Sequence, residues 1–171
     1  YSGYGTSDAQ RGRLEAVADR VVDPEAVFTE RLQRCVGDSG ARTRQLQQVL
    51  RDIDGHLAVV THDNPDPDAI ASAVALGELA ARAGCSVSLC YYGDISHQEN
   101  RAFVNLLEYD LVNLEAGDDA ALDAYDGFAL VDHSRPGVND QLPEHLAIDI
   151  VIHHHPPRMP VAARYVDLRS A

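Results

Sequence analysis

The chain has 171 residues and a mass of 18.6 kDa, enough for one domain, or one domain with an appendage, built on an apolar core without disulfide or metal staples. Its 14 cations are all arginine against 27 Asp and Glu, a formal charge of −13 that speaks against a cationic groove for duplex DNA or a surface for anionic membrane. No apolar run approaches the ~20 residues of a membrane span, no secretory signal is visible, and three cysteines without CxxC spacing speak against a disulfide scaffold or zinc knuckle and fit a reducing cytoplasm.

The first 55 residues read as a helical linker or arm. A polar helix is expected over 7–21. Asp23-Pro24-Glu25 then reads as an N-cap with Pro at the first helical position, opening a helix that ends near Gly37. A third helix is expected over 41–53, closed by Gly55. Such a lead suits a linker, a dimerisation arm of a homodimer, or a cover for the domain behind it.

From Leu57 the pattern changes. Residues 57–61 (LAVVT) form a short apolar run, as in a strand buried on both faces. An apolar helix over 69–83 is stopped by Gly84, and a strand over 86–92 comes next. Then come a helix over about 97–107, a strand over 111–114, a helix over 118–125 and a buried strand over 127–131. A loop with a short helix leads to a strand over 148–152, and 163–168 reads as a last, edge strand. Strands alternating with helices predict an α/β fold with a largely parallel sheet and flanking helices, covering 56–171.

Ligands of an open parallel sheet bind beyond the carboxyl ends of its strands. The segments behind three of the buried strands are His62-Asp63-Asn64-Pro65-Asp66-Pro67-Asp68, Asp132-His133-Ser134-Arg135 and His153-His154-His155-Pro156-Pro157. Five of the eight His and several carboxylates therefore gather at one sheet edge. Imidazole with carboxylate suits Mn²⁺, Fe²⁺, Co²⁺ or Zn²⁺. Asp66 and Asp68, two apart on an extended loop, can address two different ions, and Asp132 can bridge them. Each piece alone has a plainer reading. An Asp after a strand is usually a turn or cap residue, and Asp68 would cap a helix beginning at Ala69. Three such loops together are hard to explain without a cation, because burying that many acids unpaired is costly.

These residues resemble the DHH phosphoesterase superfamily over roughly residues 55–171. Its first motif, H-x-x-P-D-x-D-A-x-x-S, is matched in full by His62 to Ser72, its second by Asp132 ending an apolar strand, and its third, D-H-H followed by Pro, by His153-His154-His155-Pro156. RecJ-like and nanoRNase-like members are the most similar. The resemblance implies two divalent ions, Mn²⁺ by preference, one held by His62, Asp66 and Asp132 and the other by Asp68, Asp132 and His154. It implies catalytic roles for Asp132 and His155, with His155 on the scissile phosphate. Asn64 would orient the first motif, and Ser134-Arg135 and Asn100-Arg101 would be anion contacts. For Arg101 a helix-surface role is as good a reading. His153 departs from the family's Asp, a support for the metals whose loss would weaken or retune them. The family's fourth motif and its small C-terminal substrate domain do not appear before Ala171, and Tyr1 is not Met, so a fragment of a longer protein is expected.

The expected activity is hydrolysis of small phosphoesters: short single-stranded oligoribonucleotides, cyclic dinucleotides or nucleotide bisphosphates. The alternatives are a degenerate nucleotide-sensing module, or an exopolyphosphatase or pyrophosphatase. The acidic, lysine-free composition fits either a GC-rich genome or the cytoplasm of a halophilic archaeon.

Overall fold

The computed structural model describes residues 24–96, 98–107, 110–114, 119–155 and 159–168. The chain divides into two compact units at Arg44/Gln45. The helix expected over 7–21 and the Asp23 cap lie outside the described residues.

In the first unit the described backbone belongs to helix α1 (Pro24–Arg51). The expected stop near Gly37 and the separate helix over 41–53 are corrected here: one helix runs through both Gly37 and Gly40. A glycine inside a helix costs only about 1 kcal/mol, and no proline stands behind it to block the next turn. Thr43 Oγ1 donates to the Ser39 carbonyl at 2.8 Å, a bond the helix accommodates.

The second unit opens with the end of α1, where Leu46, Val49 and Leu50 are buried, and Ile53 just beyond it. Next comes β1 (His56–Val60), whose apolar run is buried on both faces as its composition requires. After it come α2 (Pro67–Ala83), β2 (Ser86–Tyr92), α3 (Gln98–Leu107), β3 (Leu111–Leu114), the single turn α4 (Asp119–Leu122), β4 (Gly127–Val131), β5 (Ile150–His153) and β6 (Tyr165–Leu168). Helix α2 ends where Gly84 takes a left-handed φ of 109° and donates to the carbonyls of Ala80 and Ala81. The short helix expected between β4 and β5 is absent. The described backbone there is turns and bends, anchored by Asp140 rather than by an apolar stripe.

The six strands form one sheet in the order β3-β2-β1-β4-β5-β6, with every pairing parallel. Side chains alternate across it. Leu57 and Val59 join Ala73, Leu76 and Ala80 of α2 and the end of α1 on one face, while Ala58 and Val60 join Phe128, Leu130, Leu142 and Ile148 on the other. The α/β fold with a parallel sheet and flanking helices is as expected. The chain builds outward from β1 to β3, then returns to place β4 against the free side of β1. The topological switch point therefore falls between the carboxyl ends of β1 and β4, where a crevice must open.

The two described free cysteines, Cys85 and Cys90, are buried. Burial pushes the Cys90 thiol up to about 11, against a weaker opposing pull from the Tyr125 hydroxyl. Thiolate is the reactive form, so Cys90 is expected to resist iodoacetamide in the folded protein at pH 8 and to react once unfolded. Peptide mass mapping checks this; fast labelling of the folded protein would show the site to be open.

Candidate metal centre

The crevice at the switch point is lined by the three polar segments. Backbone bonds tie each to a neighbouring segment. After β1, Thr61 donates its N–H to the Cys90 carbonyl at 3.0 Å, and Asp63 donates its own to the Asn139 carbonyl at 2.6 Å. The His62 Nδ1 lies 2.8 Å from the Asp63 carbonyl, which can only accept. Nδ1 is therefore the protonated nitrogen, and Nε2 keeps its lone pair for the crevice. Asn64 takes a left-handed φ of 51°, and its Oδ1 accepts from both the N–H and the hydroxyl of Ser96 at 2.9 Å. Asn64 thus orients the loop by fastening it to the segment after β2.

Asp66 caps α2, its Oδ1 accepting the Ala69 N–H at 3.0 Å, with Pro67 opening the helix. The alternative in which Asp68 caps a helix starting at Ala69 is thereby corrected. Asp68 lies exposed in the first turn of α2.

After β4, Asp132 takes a left-handed φ of 60° and donates its N–H to the Ile152 carbonyl at 2.9 Å. A side chain in this conformation is under strain of about 1–2 kcal/mol, of a kind that collects at functional sites. The twist turns the carboxylate toward both neighbouring segments. Its Oδ2 lies 3.5 Å from His62 Nε2, and its Oδ1 lies 3.6 Å from both His154 Nε2 and His153 Nδ1. His62 Nε2 is also 3.9 Å from Asp66 Oδ1.

Two groups of donor atoms converge, His62 with Asp66 and Asp132, and His154 with His155 and Asp132, and they share Asp132. Two ligands of one ion at bond lengths near 2.1 Å stand about 3–3.5 Å apart, close to the separations here. The donors fit a divalent cation on a further count. His153 Nδ1 is buried without a hydrogen-bond partner, an arrangement that costs free energy unless something binds it. Burial holds the His153 imidazole below its ordinary range; the Asp132 charge opposes this, and the neighbouring imidazoles add to it. A neutral ring is the form that coordinates.

The structure assembles some of the expected residues and separates others. His62, Asp66, Asp132, Ser134, Arg135, His153 and His155 line one cavity of about 660 Å³, together with Val138, Asn139 and Met159. His154 and Asp132 border a second cavity of about 260 Å³ together with Ser72 and Asp167. His155 stands beside His154, their Nε2 atoms 2.7 Å apart, within one donor group. Asn100 is buried, and its amide donates to the Pro65 carbonyl at 3.0 Å, so it braces the first motif from behind. Arg101 lines a separate cavity of about 630 Å³ beside β2 and donates to the Ser96 carbonyl. Two residues carry no signal in the sequence. Asp140 is buried against His133 at 2.7 Å, and its Oδ1 accepts the N–H groups of Gly137 and Leu142. Asn139 supplies the carbonyl that holds Asp63. Neither has a periodicity or motif to announce it, and both lie in the irregular loop after β4.

A doubly wound parallel sheet carrying an imidazole and carboxylate cluster at its switch point defines an α/β protein with a candidate divalent-metal site. The chain belongs to the DHH family: the model of the family's N-terminal domain matches residues 56–170, which places it in the DHH phosphoesterase superfamily. It is also 38% identical over 151 residues to an uncharacterized protein of Methanocaldococcus jannaschii. That match covers 88% of this chain and 28% of the relative, so the chain spans little more than a quarter of the relative's length. No helix among the described residues is long and apolar enough to cross a membrane.

Proposed function

We propose that the protein is a metal-dependent phosphoesterase that hydrolyses small phosphoesters, such as short oligoribonucleotides, cyclic dinucleotides or nucleotide bisphosphates. The observation that carries this reading is the pair of donor groups sharing the single carboxylate of Asp132. His62, Asp66 and Asp132 would hold one ion, and Asp132, His154 and His155 the other, whereas Asp68 stands in neither donor group; Mn²⁺ is the ion the family resemblance favours. When bound, such a pair supplies a nucleophilic water at neutral pH and stabilises charge on the phosphoryl oxygens.

The chain's own residues do the rest. The Asp63 carbonyl holds His62 in the tautomer that points Nε2 inward. The strained turn at Asp132 aims both carboxylate oxygens at once. His155 is exposed and lines the same cavity as His62 and Asp132, so as a ligand of the second ion it would stand beside the bound ester. Ser134 and Arg135 line the same cavity and offer a hydroxyl and a guanidinium to a second anionic group. A cavity of about 660 Å³ admits a nucleotide-sized ester.

The test is an assay of the full-length protein with Mn²⁺ against an oligoribonucleotide, a cyclic dinucleotide, a nucleotide bisphosphate, pyrophosphate and polyphosphate. Turnover of one of the first three above an Asp66→Ala control supports the proposal. Turnover confined to pyrophosphate or polyphosphate, or tight nucleotide binding without product, would replace it with one of the other readings.

A further inference from the structure

We infer that His153 is itself a metal ligand, through Nδ1, and that this fourth imidazole moves the centre's preference from Mn²⁺ toward Co²⁺ and Zn²⁺. The inference rests on the metal-dependent reading above and concerns the residue at which this chain departs from the D-H-H pattern.

His153 is the last residue of β5, so its backbone direction is fixed by pairing with Leu168 of β6. Its side chain borders both cavities of the crevice, as Asp132 does. Nδ1 is inaccessible to solvent and has no hydrogen-bond partner. Asp132 Oδ1 stands 3.6 Å away, too far for a hydrogen bond, yet a spacing two donors adopt on one cation. The same oxygen lies 3.6 Å from His154 Nε2, and the other oxygen of that carboxylate lies 3.5 Å from His62 Nε2. The spacing of His153 to the shared carboxylate therefore equals that of His154, although His153 stands outside the two groups whose donors already converge, so its ring would have to close on the ion as the ion binds. A ring that served only to support Asp132 would donate to it at about 2.7–2.9 Å.

The substitution also changes the chemistry of the set. An Asp at 153 would put a third carboxylate near Asp66 and Asp132 and offer a hard oxygen. Histidine offers a neutral, borderline nitrogen. Carboxylate suits Mn²⁺, whereas imidazole suits Zn²⁺ and its neighbours, which already bind more tightly in the general affinity order. An added nitrogen widens that gap.

The experiment uses metal-stripped full-length protein, titrated calorimetrically with Mn²⁺ and with Co²⁺, with the visible spectrum of bound Co²⁺ recorded alongside. Wild type is compared with His153→Asn and His153→Asp, each checked by circular dichroism. His153→Asn is expected to weaken Co²⁺ binding about 10–100-fold and to alter its visible bands. His153→Asp is expected to narrow the Co²⁺ to Mn²⁺ affinity ratio by about tenfold. Should the variants not fold, histidine-selective ¹⁵N NMR of wild type decides: Zn²⁺ is expected to move the His153 Nδ1 resonance to a metal-bound position. Identical Co²⁺ spectra and affinity ratios in the three proteins, an unmoved Nδ1 resonance, or a wild type that binds neither ion would overturn the inference. Phosphoester hydrolysis is followed in parallel. Hydrolysis by wild type with unchanged metal binding in His153→Asn removes the ligand role alone, whereas a His153-dependent Co²⁺ spectrum without hydrolysis removes the catalytic reading alone.

Discussion

Asp132→Ala is expected to reduce phosphoester hydrolysis by at least about 10²–10³-fold, the loss typical when one charge-stabilising group leaves a reaction centre. It should also lower the number of metal ions bound per chain, because both donor groups depend on this carboxylate. Loss of Asp66 takes a ligand from one group only, so Asp66→Ala should retain binding at the other. Steady-state rates and a metal titration of both variants check this; an Asp132→Ala protein that still binds two ions would refute the shared-ligand geometry. A stability readout separates strain from function. Asp132 sits at a φ of 60°, where glycine is at ease and alanine is not. In metal-free protein, Asp132→Gly is therefore expected to be more stable than Asp132→Ala by about 1 kcal/mol. Equal melting temperatures would show that the turn carries no strain.

The largest effect on stability is expected at Asp140. The His133 Nδ1 lies 3.0 Å from the Val131 carbonyl and must donate to it. Its Nε2 then faces Asp140 Oδ2 at 2.7 Å, close but not aligned for a straight hydrogen bond. The pair is almost wholly shielded from water, with side-chain exposures of 2% and 0%. Removing one partner of such a pair costs about 3–5 kcal/mol. Asp140→Ala also strips the acceptor from the Gly137 and Leu142 N–H groups, and is expected to reach that range in urea unfolding. Asp140→Asn keeps the acceptor and offers an N–H toward His133 Nε2, so its cost should be about 1–2 kcal/mol. Equal losses in the two variants would mean that the His133 contact and the two N–H bonds to Oδ1 contribute nothing. The loop held by Asp140 carries Asn139, whose carbonyl fixes Asp63 beside His62, so Asp140→Ala should weaken metal binding as well.

The strands at 86–92, 111–114 and 127–131 appear in the structure with the bounds that their apolar runs set. β4 is buried along its whole length and is continuously apolar, while β2 and β3 keep polar residues at exposed or half-exposed positions; in each case the signal lies within a few neighbouring residues. Gly84 likewise ends α2 because its left-handed φ is open to glycine. Glycine is a weaker stop when its neighbours accept helical geometry, which is why α1 continues through Gly37 and Gly40. The loop after β4 holds no helix because polar anchoring by Asp140 replaces the periodic apolar pattern that a packed helix needs. The family resemblance makes Asn100 an anion contact, but which way a helical amide turns depends on the Pro65 carbonyl, 35 residues away in sequence.

From the residues alone, the alternation of strand and helix and the three polar segments beyond the strands were already determined, because period, caps and turn chemistry act over a few neighbouring residues. The tertiary structure alone decided that β4 returns beside β1, that one strained carboxylate serves both donor groups, and that His153 faces that carboxylate with a nitrogen left unpaired. These are distances between segments far apart in the chain, and only the closing of the sheet brings them within reach of one ion.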